Sequence, residues 1–265
     1  MTQVLLMKEG YILEKLFDIN EEGYSIRFKL YYNKDIHAIK NVVIATHGFG
    51  GFKENKSIEK FAERIDSKYK DFAVICFDWP CHGQDARKKL LLEECQTYLR
   101  LVTNYANEQL KAEKLFNYSV SFGAYNTLKY IYDNENPFKK IALRSPGIRM
   151  YEALNNSISD DARTKLDKGK EISLGYQRLI KISKDFLDDL KANDLTKLEF
   201  FDMADDILLI HGLKDEMIPP AYSEDFAEAN VIELIEVENA DHRFSNPNCL
   251  DFAIQKIIEF FANSL

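Results

Sequence analysis

Six short runs of branched and aromatic residues recur along this 265-residue chain, most of them separated by stretches of helical period. They are Asn41–Thr46, Phe72–Asp78, Lys114–Val120, Lys140–Arg144, Ile207–His211 and Ile232–Val237. Each is too continuously apolar to keep one face in water, so each reads as a strand covered on both sides. The helical stretches are Lys56–Lys68, Glu93–Lys111, Phe122–Asp133, Tyr222–Ala229 and Cys249–Ala262. Strand and helix in alternation predict an α/β fold with a mostly parallel central sheet and helices on both faces. Right-handed crossovers then bring the carboxyl ends of the strands to one edge, where open α/β sheets take their ligands.

Two features depart from the alternation. Tyr11–Phe17 and Tyr24–Tyr32, separated by turn-forming residues 18–23, predict an N-terminal antiparallel hairpin. From Ile148 to Lys197 there is helical pattern but no clear strand, at the edge where ligands bind. An insertion of that length in that place predicts a helical lid at about 148–197 within a single domain, 1–265. Tyr151, Tyr176 and Phe186 are plausible residues for its substrate wall, although packing in the helix core accounts for each of them better.

Serine 121 carries the strongest chemical signal. It follows the run Lys114–Val120 and opens the helix that begins beside it, in Tyr118-Ser119-Val120-Ser121-Phe122-Gly123. A sharp turn from strand to helix can hold a hydroxyl clear of the backbone as a nucleophile. Capping the helix is the ordinary alternative for a serine there. The small-residue motif of such turns is Gly-x-Ser-x-Gly; Gly123 supplies the second glycine and Ser119 replaces the first. Ser119 lies within the strand and is the weaker candidate nucleophile.

A serine nucleophile needs a base, an orienting acid and donors for the oxyanion. His242, in Ala240-Asp241-His242-Arg243-Phe244 after the last strand, is the candidate base. Asp215, in His211-Gly212-Leu213-Lys214-Asp215, is the candidate acid. Asp206 precedes its strand, at the opposite edge; Asp241 adjoins His242 and folds back on the ring with difficulty; Glu216 is a further neighbour. The backbone N–H groups of Phe122 and of Phe49, in His47-Gly48-Phe49-Gly50-Gly51, are the expected oxyanion donors. A phosphate cradle at those glycines would want a following Lys-Ser/Thr pair of the P-loop kind, directly after a glycine, which is missing.

The ordered motifs, together with Asp78-Trp79-Pro80-Cys81-His82-Gly83-Gln84-Asp85, resemble the α/β-hydrolase family over Gly10 to Leu265. Within it the chain is most similar to the small single-domain serine esterases, including the feruloyl/cinnamoyl type. The resemblance implies a carboxylesterase that cleaves a small or aromatic acyl ester through an acyl-enzyme on a catalytic triad, with no cofactor and no metal. The 78–85 loop is chiefly structural in that family; Cys81 and Asp85 stand where it has Gly and Ser.

Other classes remain open on the sequence. The same triad serves peptidases, amidases and thioesterases, and a fold can persist in a catalytically silent binding protein. His47, His82, His211 and Asp78 fall near strand ends, as metal ligands would, but His-x-His and His-x-x-x-His spacings are missing. The net charge of −8, with Lys and Arg interleaved among acids, argues against nucleic acid as a partner. A small ester is the expected partner, and the sequence leaves homo-oligomerisation open. Cys76, Cys81, Cys95 and Cys249 form no framework and read as reduced thiols of a cytoplasmic protein. Met1–Gly10 lacks the basic start of a secretory signal, and no apolar run approaches the ~20 residues of a membrane span.

Overall fold

The computed structural model describes residues 13–175 and 178–265. An eight-stranded sheet forms its centre, in the order β1-β2-β4-β3-β5-β6-β9-β10. Strands β3 (Asn41–Thr46), β4 (Phe72–Phe77), β5 (Lys114–Val120), β6 (Phe138–Arg144), β9 (Ile207–Gly212) and β10 (Glu233–Val237) run parallel. The hairpin β1 (Leu13–Glu21) and β2 (Tyr24–Tyr32) joins antiparallel, through β2 on β4. The α/β-hydrolase architecture expected from the sequence is present.

The sequence places the hairpin's first strand at 11–17, whereas the strand continues to Glu21. Polar Asp18 and Asn20 alternate with Phe17 and Ile19 and point outward from an edge strand, so they extend it where their composition suggests a turn. The turn itself is only Glu22-Gly23, both at positive φ, which suits a tight hairpin. Tyr11 and Ile12, like the segment 1–10 read for a leader, lie outside the described residues.

Side chains of successive strand residues divide between two cores, as a pleat requires. Val42 and Ile44 join one cluster with α2 (Leu92–Glu108) and α3 (Phe122–Asp133). Val43 and Ala45 join the other, with α1 (Lys56–Lys68) and α8 (Pro247–Ala262). Each Val, Ile or Leu so enclosed contributes about 1.5–3 kcal/mol relative to exposure. The chain runs from β3 through α1 to β4 on one side, then returns to place β5 on the other. That reversal opens a crevice beyond the carboxyl ends of β3 and β5.

Segment 148–197 contains α4 (Met150–Asn155), α5 (Asp160–Asp167) and α6 (Lys184–Ala192). It also contains a pair of strands that its sequence does not predict: β7 (Ile172–Leu174) antiparallel to β8 (Ile180–Ile182). Three residues each, reading Ile-Ser-Leu and Ile-Lys-Ile, are too few for alternation to stand out from a helical background. Helix α7 (Ala221–Asn230) connects β9 to β10.

Candidate active site

Strand β5 ends at Val120, and the next residue takes φ 54°, ψ −115° before α3 begins. A non-glycine residue there carries strain of about 1–3 kcal/mol, tolerated only where its surroundings enforce it. The surroundings are tight. A Cβ at Gly123 would lie 2.1 Å from Thr46 Oγ1 and 2.9 Å from the His47 carbonyl oxygen, so the second glycine of the motif is obligatory. Ser121 occupies the N-cap position of α3 but its side chain makes no capping bond. Its hydroxyl faces His242 Nε2 at 3.1 Å instead.

His242 sits in the loop after β10, 8% exposed. Asp241 shapes that loop, its Oδ1 accepting from Ser245 N–H at 2.8 Å, and so is engaged away from the ring. Ser145 Oγ donates to the His242 carbonyl at 3.1 Å and Arg144 Nη1 to the Arg243 carbonyl at 3.1 Å, tying the loop to the end of β6. On its other side the imidazole Nδ1 lies 2.7 Å from Asp215 Oδ2. A carboxylate only accepts, so Nδ1 carries the proton and Nε2 is left to accept from Ser121. The structure therefore brings Ser121, His242 and Asp215, remote in sequence, into one hydrogen-bonded line. Asp206 lies at the far end of β9, paired with Lys140, and Glu216 is exposed.

Asp215 is buried, which by itself would raise its pKa. Hydrogen bonds from His211 and His242, with the Ile218 N–H, outweigh that and hold the carboxyl well below the usual carboxylate range. Oδ1 accepts from the Met217 and Ile218 N–H groups at 2.9 and 2.8 Å. Oδ2 takes His211 Nε2 at 2.9 Å as well as His242. In the sequence His211 belongs to a motif and is a candidate metal ligand, with nothing to link it to Asp215. Its only signal was a polar residue at the end of an otherwise apolar strand, four residues before the acid.

The loop after β3 lies against Ser121. A Cβ on Gly48 would come within 3.1 Å of Ser121 Cβ and 3.5 Å of its Oγ, so only glycine lets the chain pass. The Phe49 and Phe122 rings meet edge to face, 5.8 Å apart. Among the described residues neither the Phe49 nor the Phe122 N–H has an acceptor within the protein. Asp78 pins this loop from below, accepting from Lys53 N at 2.7 Å and Lys53 Nζ at 2.8 Å. It also accepts from Gln84 N at 2.9 Å, which ties in the 78–85 loop.

Ser119 has a different occupation. Its buried Oγ accepts from Thr46 Oγ1 at 2.8 Å, donates to Asn117 Oδ1 at 2.6 Å and lies 2.8 Å from Thr127 Oγ1. The departure from glycine is thus absorbed by a polar knot between β3, β5 and α3. His47 and His82 pack close by at a tilt of 46°, ring centroids 5.4 Å apart, both fully buried. Burial, and then the neighbouring His47, push His82 down to about 3. Among the described residues no three His, Cys, Asp or Glu side chains are grouped as metal ligands.

A cavity of about 470 Å³ opens over Ser121 and His242. Its apolar wall comes from Phe49, Met150, Leu154, Met217, Ile218 and Leu250. Tyr151 and Phe186, plausible for its wall, do not line it and pack with the core instead; Phe186 is buried against Phe122, ring centroids 6.4 Å apart. Tyr176 lies outside the described residues. Helix α4 presents Met150 and Leu154 to the cavity, so the intervening Tyr151 points away.

Residues 41–175 match the family model of the alpha/beta hydrolase fold, about half of the chain. The chain belongs to that family. Among solved structures it is similar to Est1E from Butyrivibrio proteoclasticus with ferulic acid bound, at TM-score 0.72 and 18% identity over 94% of this chain and 98% of that one. Alpha/beta hydrolase domain-containing protein 10 from mouse gives TM-score 0.70 at 14% identity, over 94% and 98% of the two chains. An S-formylglutathione hydrolase from Agrobacterium tumefaciens gives 0.66 at 14% identity, over 99% of each. At such identities the likeness is one of fold. Comparison with curated proteins by sequence gives no match. No helix among the described residues is long and apolar enough to cross a membrane.

Proposed function

We propose that this protein is a serine hydrolase that cleaves carboxylic esters through an acyl-enzyme. The observation that carries the reading is the Ser121–His242–Asp215 line, with 3.1 and 2.7 Å between its members. Ser121 Oγ attacks the ester carbonyl as its proton passes to His242 Nε2; Asp215 stabilises the imidazolium that results. The carbonyl oxygen takes the negative charge and is met by the Phe49 and Phe122 N–H groups. Collapse of the intermediate breaks the C–O bond, and His242 returns its proton to the departing alkoxide. Water, deprotonated by the same imidazole, then releases the acid and restores Ser121.

The acyl group occupies the cavity. Its apolar wall and its volume of about 470 Å³ suit an aromatic or medium-length acyl chain rather than acetyl alone. Segment 148–197 supplies part of that wall through α4 and serves as a lid on a single catalytic domain. Est1E, with ferulic acid bound, has a similar fold, which makes feruloyl esters natural first substrates to try.

Fluorophosphonate labelling of the full chain, followed by p-nitrophenyl esters of increasing acyl length and feruloyl esters, tests the reading. Wild type is expected to label and to turn over esters. Ser121→Ala abolishes labelling, and Ser121→Ala and His242→Ala each lower kcat by several orders of magnitude with the fold intact. A folded wild type that neither labels nor hydrolyses would make this a silent binding protein. Labelling that persists in Ser121→Ala would move the nucleophile elsewhere.

A further inference from the structure

His211 is the last side chain of β9 before Gly212 and has no exposed surface. Its Nε2 faces two oxygen acceptors, Asp215 Oδ2 at 2.9 Å and the Ile218 carbonyl at 3.1 Å. Neither acceptor can donate, since the carbonyl has no proton and the carboxylate is ionised; the proton therefore resides on Nε2. On the other side Nδ1 lies 2.7 Å from Ser223 Oγ, on α7. Ser223 is buried, and among the described residues His211 is the partner its hydroxyl has. A buried hydroxyl gives its proton to an acceptor where one is in reach, so Ser223 donates into Nδ1. The result is a neutral ring locked as one tautomer, with its N–H aimed at the oxygen that also holds His242.

We infer that His211 is a positioning residue for the reaction, fixing the Asp215 carboxylate and setting how strongly it draws a proton onto His242. The inference rests on the triad reading above. Asp215 receives four donors: two amides on Oδ1 and two imidazoles on Oδ2. The amides and His211 together hold the carboxylate's plane, so that Oδ2 stays directed at His242. A carboxylate already shared by another N–H is also a weaker acceptor for each partner. Spreading its charge over His211 lowers its pull on the His242 proton.

Other charged groups on the packed elements set the absolute position of the titration. They are Lys214 and Glu216 on the same loop, Glu236 beside His211 on β10, and Asp241 and Arg243 flanking His242. Glu224 and Asp225 lie on α7, with Arg149, which caps the start of α4, paired to Asp225. None is altered in the variants below, so they cancel in the comparison.

The experiment is the pH dependence of kcat/KM for p-nitrophenyl butyrate in wild type, His211→Leu and His211→Gln. Loss of the donor in His211→Leu is expected to move the acid limb up by roughly half to one pH unit, and to lower kcat more than it changes KM. His211→Gln, which offers an N–H again, is expected to bring the limb most of the way back. A folded His211→Leu enzyme with the wild-type limb overturns the inference.

Should His211→Leu fail to fold, nitrogen NMR of wild type labelled in its histidine rings decides. The His211 ring is expected to be protonated at Nε2 and unprotonated at Nδ1, the reverse of His242. Its Nε2–H signal should move when a phosphonate is attached to Ser121. A His211 ring carrying its proton on Nδ1, or deaf to the adduct, overturns the inference. A wild type that never reacts with phosphonate or ester removes the triad reading and this one together; a reactive wild type with an unmoved variant removes this one only.

Discussion

Ser119 and Ser121 show how two identical side chains, two residues apart, come to have opposite fates. Ser121 follows the end of β5 at positive φ and presents its hydroxyl to a base. Ser119 is still in the strand, opposite Thr46 in register, and its hydroxyl is consumed by Thr46, Asn117 and Thr127. Ser119→Ala leaves those three buried groups short of a partner and is expected to cost about 1–3 kcal/mol in denaturant unfolding. It should label with fluorophosphonate as wild type does; loss of labelling in a folded variant would mean that Ser119 takes part in the chemistry. The sequence makes the candidate nucleophile of the proposed reaction legible through the strand-to-helix junction and Gly123. It does not reveal that serine in place of the first glycine is satisfied, because its partners come from three separate elements.

The loops between elements carry the site, and buried charge holds them. Lys53 has no exposed surface, and its ammonium pairs with Asp78 at 2.8 Å and with Glu54 at 3.1 Å. This links the loop after β3, which bears Phe49, to the loop after β4. Lys53→Met strands the Asp78 carboxylate in a buried place and is expected to destabilise the fold by about 3–5 kcal/mol. Lys53→Met with Asp78→Asn removes both charges and should recover part of that loss, a coupling that a double-mutant cycle measures directly. Equal losses for the single and double variants would show that the pair is not what joins these loops. Long elements with a clear period, such as α1 and β3, begin and end where their residues indicate. The short β7–β8 pair and the outward-facing half of β1 do not, since few residues with mixed polarity give little pattern to read.

At the scale of the whole molecule, pH acts on the stability of the buried core as well as on the triad. His47 and His82 are both held below their ordinary values, chiefly by burial, so the folded protein resists protons that the unfolded chain accepts. The stability they contribute is fully present above the unfolded value near 6.5 and is lost as pH falls, for His82 down to about 3. Within that window each ring that stays neutral should reduce the unfolding free energy by about 1.4 kcal/mol per pH unit. His82→Asn keeps a donor for the Pro80 carbonyl, which Nδ1 meets at 2.8 Å, and is expected to flatten the dependence between pH 4.5 and 6.5. Denaturant titrations across that range measure it; an unchanged slope would mean that His82 takes up its proton in the folded state. Asp215 adds a second loss at lower pH, since its depressed carboxylate must finally protonate. Local order in the chain determined the alternation of strands and helices, and with it the parallel sheet, the edge at which ligands bind and the chain positions of Ser121, Asp215 and His242. Hydrophobic period and turn chemistry act between near neighbours, and a sequence displays them directly. Only tertiary structure decided which acid meets the imidazole, that His211 shares it, and that Met150 and Leu154 rather than Tyr151 face the cavity. Those outcomes depend on how far elements twist and how closely they pack, and both are set by contacts between residues distant along the chain.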